Sequence, residues 1–83
     1  LKLGEELKNI TKTVKTRLEY NKLQKLLYET AFNGKDIVDI CDFKNDYPII
    51  FNSGDVWSWL KDNDIQFTGG LVGAKYSYTL WWQ

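Results

Sequence analysis

LKLGEELKNITKTVKTRLEYNKLQKLLYETAF, residues 1–32, is the stretch on which the fold of this chain turns. Between Leu3 and Phe32 there is no Pro, and the only Gly is Gly4. Glu5 and Glu6 place acid in the first turn, where it complements the positive end of a helix dipole. Gly34, just beyond Phe32 and Asn33, is a stop signal. The interior is rich in Leu, Lys, Glu and Gln, which all favour helix. The stretch reads as one long helix, or as two end to end.

A helix that covers one core carries one apolar stripe. This stretch carries two. Leu3, Leu7, Ile10, Val14 and Leu18 recur at steps of four and three. Tyr20, Leu23, Leu27 and Ala31 follow, with Leu26 on their flank. At about 100° per residue, the two stripes lie on nearly opposite sides. A straight rod cannot lay both on one core. Either the helix kinks near Glu19–Lys22, or the first stripe faces another molecule. Length points the same way: a helix over residues 3–32 spans roughly 45 Å, whereas a compact chain of this size is only about 30 Å across. Residues 1–18 are therefore expected to act as a helical arm for oligomerisation or for binding a protein partner.

Eighty-three residues make a single domain, residues 1–83. Four Trp supply the bulk that so small a core needs. No run approaches the ~18 apolar residues of a membrane span, and no secretory leader pattern is present. The single Cys41 excludes an internal disulfide and fits a reducing compartment. Net charge is zero but unevenly placed. Residues 1–35 carry eight Lys/Arg against four Glu, and residues 36–83 carry three Lys against seven Asp. Such asymmetry can steer a partner or drive head-to-tail association.

After the Asn33–Lys35 turn, Asp36–Phe43 is β-branched and apolar on both faces, which predicts a central strand; the spacing of Ile37, Ile40 and Cys41 also fits a short helix. Lys44–Asn52 is expected to be irregular because Asn45, Asp46 and Pro48 interrupt it, with Tyr47 pushed toward extended geometry. Ser53 reads as the N-cap of a helix over Gly54–Asn63, with Val56, Trp59 and Leu60 on its core face and Trp57 off to one side. A strand begins at Asp64–Thr68, and Gly69–Gly73 reads as a flexible turn. Ala74–Trp82 is the clearest strand, with Tyr76, Tyr78, Leu80 and Trp82 facing in and Trp81 facing out. The predicted fold is α+β: a long N-terminal helix, then a strand, a short helix and a C-terminal β-hairpin, forming a small antiparallel sheet with helices on one face.

Several pieces of this order together resemble a known group. They are Asn33–Lys35, Trp59-Leu60, Ile65–Phe67, Gly69-Gly70 and Tyr76–Trp82. The pattern is similar to that of small uncharacterised accessory proteins encoded by tailed bacteriophages and prophages. The resemblance implies a viral protein in the cytoplasm of a host cell, where such small proteins bind and block host machinery. It carries over no functional residue.

Catalytic equipment is sparse. The chain has no His, which removes the commonest general base and metal ligand. One Cys cannot build a thiolate zinc site, and Cys41 lacks a cationic neighbour to activate it, so a small buried residue is expected there. The acidic cluster Asp36, Asp39, Asp42 and Asp46 places Lys44 where a calcium loop needs an oxygen. Gly69-Gly70-x-x-Gly73 precedes a strand and offers phosphate no helix N-terminus. No enzyme activity, cofactor or metal is expected. A winged helix-turn-helix is disfavoured because its reader helix would carry Asp55 and Asp62 with only Lys61.

The expected function is that of a non-enzymatic protein–protein interaction module, an inhibitor of a host protein being one form. The partner-binding residues would be Leu3, Leu7, Ile10, Val14, Leu18, Trp57 and Trp81, exposed aromatics being effective anchors. Self-association into an oligomer is one expected outcome. Two alternatives stand beside it. One is nucleic-acid binding through Lys8, Lys12, Lys15 and Lys22, on the side of the helix away from its first apolar stripe. The other is a structural role in a virion.

Overall fold

In a computed structural model, which describes residues 2–83, α1 is a single unbroken helix over Leu3–Phe32. Leu1, at the start of the expected arm, lies outside the described residues. The kink envisaged at Glu19–Lys22 does not occur. Gly34 stops the helix as expected: at φ 78° it adopts the left-handed conformation, and its N–H donates to the Ala31 carbonyl at 2.9 Å.

Three strands follow: β1 (Ile37–Ile40), β2 (Gln66–Val72) and β3 (Lys75–Trp81). They form an antiparallel sheet in the order β1-β3-β2. The register sets Val38, Leu80 and Phe67 in one row, and Ile37, Trp81 and Gln66 in the next. Because side chains alternate across a strand, the first row faces the helices and the second faces away. The expected alternation of β3 is what the sheet uses: Leu80 is fully buried, and Tyr78 and Trp82 pack against the core.

Between β1 and β2 lie three short helices, α2 (Phe43–Asp46), α3 (Pro48–Ser53) and α4 (Asp55–Asp62). Two sequence expectations fail here. The predicted strand Asp36–Phe43 is strand only over Ile37–Ile40, and Cys41, expected to be buried, is exposed in the turn that ends it. The predicted irregular stretch Lys44–Asn52 is largely helical. Pro48 opens α3 at its first position, where a missing N–H is harmless and the fixed φ suits a helix. Tyr47 before it is held off helical geometry at φ −135°, ψ 60°, as the residue ahead of a Pro should be. Ser53 does not cap α4 from the expected position; it is the last residue of α3. Its hydroxyl still accepts the Asp55 N–H at 3.3 Å, across Gly54 at φ 78°.

The core is a helix face pressed on an aromatic cluster. Leu23 of α1, Phe43, Ile50, Val56, Leu60 and Leu80 are fully buried. Phe43 meets the rings of Tyr47, Phe51, Trp57 and Tyr78 at centroid distances of 5.2–5.9 Å, within the range of favourable aromatic pairing. Gly69 lies in β2, not in a flexible turn; the turn itself is Gly73-Ala74. A Cβ at Gly69 would collide with the Ser77 carbonyl and lie 2.7 Å from Tyr78 Cα. Glycine thus allows β3 to approach closely there, with Tyr78 covering the gap.

The chain measures 51 × 30 × 19 Å, with a radius of gyration of 14.6 Å. A compact chain of this length would have a radius of gyration of about 12 Å. The excess comes from α1, whose first half overhangs the body.

Candidate functional site

Where α1 meets the body decides what is left of it. Its inward residues begin at Thr16, Glu19 and Tyr20 and continue through Leu23, Leu26, Leu27 and Thr30. Three contacts fix the root of the overhang. The Glu19 carboxylate accepts the Ile49 N–H at 2.9 Å and the Ile50 N–H at 3.0 Å. These N–H groups sit in the first turn of α3, where no intrahelical acceptor exists, so α1 caps α3 with a formal charge. Tyr20 packs on Trp59 with ring centroids 5.2 Å apart. Burial, with the charges of Asp55 and Glu19, raises the Tyr20 hydroxyl above its ordinary pKa. Lys22 Nζ donates to the Asp46 carbonyl at 3.2 Å and sits 4.9 Å from the Tyr47 ring centre.

Beyond this root, residues 2–15 are all exposed. Leu3, Leu7, Ile10, Val14 and Leu18 are 62%, 54%, 59%, 46% and 60% exposed. All five expected partner-binding residues of the arm thus share one bare seam, on the side opposite the face that holds Leu23 and Leu27. The seam also runs further than the sequence reading placed it. Continuing in steps of three and four from Leu18 leads through Asn21 and Lys25 to Tyr28 and Phe32. Both aromatics are exposed, Phe32 at 87%, and their rings stack 6.4 Å apart. The spacing was the signal that could have found them. Ala31, assigned to the inward stripe, is instead exposed beside an open groove of about 380 Å³ shared with Leu27, Trp59 and Trp82.

The arm is also made of residues that do not hold a helix well. Ile10, Thr11, Thr13, Val14 and Thr16 are β-branched and lose side-chain freedom in a helix. Thr11, Thr13 and Thr16 each donate a hydroxyl proton to the carbonyl four residues back, at 2.8–2.9 Å, a habit that weakens helices slightly. Helical structure persists there only as an extension of the anchored half or with outside support.

The two Trp candidates part company. Trp57 is half-buried within the aromatic cluster, 4.7 Å from the Tyr78 ring and 4.9 Å from Phe67. It packs against the core and leaves only part of its side chain to solvent, because α4 turns that side toward the sheet. Trp81 lies on the open sheet face beside Ile37, which is 52% exposed, and Gln66. It is not contiguous with the arm in sequence or in sheet register.

Lys8, Lys12 and Lys15 are exposed on the arm and form no ion pair among the described residues; the one salt bridge there is Lys25–Glu29. Lys22, the fourth candidate, is engaged with Asp46 and Tyr47 as above. No group of three His, Cys, Asp or Glu is placed to hold a metal ion among the described residues. Within the same residues, no helix is long and apolar enough to cross a membrane. Comparison with protein-family models, curated proteins and solved structures finds no match for this chain.

Proposed function

We propose that this protein is a non-enzymatic protein-interaction module, in which a small α+β body carries a helical arm for docking. One observation carries the proposal. Five branched apolar side chains stand about half exposed along one face of an unbroken helix, opposite the face that builds the core. A contiguous apolar stripe of this kind marks an interaction surface, and scattered single hydrophobics do not. An amphipathic helix laid in a groove or against another helix is a recurring mode of recognition. The resemblance to small phage accessory proteins supports the same role, with a host protein as one kind of target.

The test compares the parent chain with Leu7→Gln/Ile10→Gln/Val14→Gln. Light scattering and capture assays are expected to show that associations formed by the parent are lost in the variant, with unfolding of the body unchanged. Associations that survive the variant at full strength overturn the proposal.

Nucleic-acid binding is favoured by the exposed row Lys8, Lys12 and Lys15 alone. It requires retention on DNA or RNA that weakens with salt at a log–log slope of about −3, near one unit per lysine. A chain that binds neither at low salt excludes it.

A further inference from the structure

The geometry points to a second copy of this chain as the occupant of the seam, with residues 3–18 of the two arms paired antiparallel about the Ile10–Thr11 peptide. This inference rests on the docking role proposed above and names its partner. The steps of four and three between Leu3, Leu7, Ile10 and Val14 are those of a coiled-coil seam. Reversed on itself about the Ile10–Thr11 peptide, the seam meets itself: Leu3 falls level with Leu18 of the second copy and Leu7 with Val14, and the two Ile10 side chains lie side by side about 1.5 Å out of level. Every layer is apolar. Antiparallel overlap along the whole of α1 would instead set Ile10 against Lys25 and Val14 against Asn21. Pairing therefore stops where the overhang stops.

Charge selects the direction. At about 100° per residue, Glu6 and Arg17 flank the seam on the same side. Antiparallel arms bring each Glu6 within reach of Arg17 on the other copy, twice over. Parallel arms in register would leave Glu6 and Arg17 of the two copies about 16 Å apart along the pair, so neither would meet its opposite charge. Lys8 and Lys15 lie further round the helix, toward solvent. The bodies do not obstruct, because each packs on the face of α1 opposite the seam. Area fits a weak, transient pair. Ten half-exposed branched side chains at about 100 Å² each offer roughly 1,000 Å² in all, below the ~1,200 Å² at which stable specific interfaces begin. The pair is thus expected to be reversible, forming with concentration.

Sedimentation of the full chain is expected to show a monomer giving way to a dimer as concentration rises. Ile10→Lys, which sets two ammonium groups face to face at the centre, is expected to weaken the dimer about 100-fold or more. Register is read by disulfide trapping in a Cys41→Ser background. Mixing Leu3→Cys with Leu18→Cys chains should give the mixed disulfide in preference to either symmetric one. A symmetric Leu3→Cys product alone means parallel arms and overturns the inference. A dimer untouched by Ile10→Lys overturns both the inference and the docking role. A chain that stays monomeric at every concentration overturns self-pairing; the docking role then stands if the seam variant still loses capture of a different protein, and falls if it does not.

Discussion

Replacing the seam should leave the fold of a single copy intact, and this can be stated in energies. Leu7, Ile10 and Val14 are about half exposed, on the face of the helix opposite Leu23 and Leu27. Changing them to Gln removes little packing, and exchanging Ile and Val for Gln gains a few tenths of a kcal/mol each in helix propensity. The triple variant is therefore expected within about 1 kcal/mol of the parent in dilute solution. Leu23 is the control, since it lies on the same helix but is fully buried. Leu23→Ala should cost about 2–5 kcal/mol through lost transfer energy and the cavity left behind. For a domain of this size, each kcal/mol shifts Tm by about 4–8 °C, so the two variants are separated by at least ~4 °C. Thermal unfolding followed by circular dichroism, at a concentration where the parent is monomeric, gives the measurement. The parent should gain stability and arm helicity as its concentration rises, and the triple variant should not. A triple variant that loses 2 kcal/mol or more when dilute would mean that the seam packs within one copy, refuting the bare-arm geometry.

Glu19→Ala should cost about 2 kcal/mol in urea unfolding, because it leaves the Ile49 and Ile50 N–H groups without their charged acceptor. Glu19→Gln, which keeps an acceptor oxygen, should lose about half as much. Gly69→Val should cost at least about 2 kcal/mol, since the new side chain must displace the β3 backbone at Ser77 and Tyr78; the urea midpoint reads it directly. Burial, helped by the charge of Asp46, pushes the Tyr47 hydroxyl up to about 12 from 10.0. The neutral hydroxyl is the favoured form in the fold, so its contribution is complete below pH ~10 and is lost as pH climbs toward ~12. Urea unfolding along this alkaline range should show that slope, and Tyr47→Phe should flatten it.

The sequence made the two-sided helix legible because a 3.6-residue period is local information. Leu23 and Leu27 fell on the core side, and Leu3, Leu7, Ile10, Val14 and Leu18 on the bare side, from spacing alone. The alternation of Tyr76, Tyr78 and Leu80 did the same for β3. What failed depended on distant partners. The helix at Pro48 is capped by Glu19, thirty residues earlier in the chain, so local breakers in Lys44–Asn52 looked decisive when they were not. Trp57 looked like an exposed anchor because its α4 position lay off the main apolar face, and the sheet that covers that flank is built from residues further along the chain. Cys41 was read as buried because strand was carried too far past Ile40. Tyr28 and Phe32 were missed because Asn21 and Lys25 interrupt the seam, although the spacing runs through them.

The helix that carries the seam enters the body without a joint. Whatever grips the tip is therefore held at a set reach, about 24 Å along residues 3–18, and at a set rotational phase relative to the sheet. One residue inserted between Leu18 and Glu19 would advance the seam by only ~1.5 Å but swing it by about 100°, leaving its chemistry untouched while aiming it elsewhere. Seven residues would restore the aim to within about 20°. In this protein direction is encoded by residue count, so deletions and insertions at the root of the arm should be more disruptive to assembly than most substitutions along it.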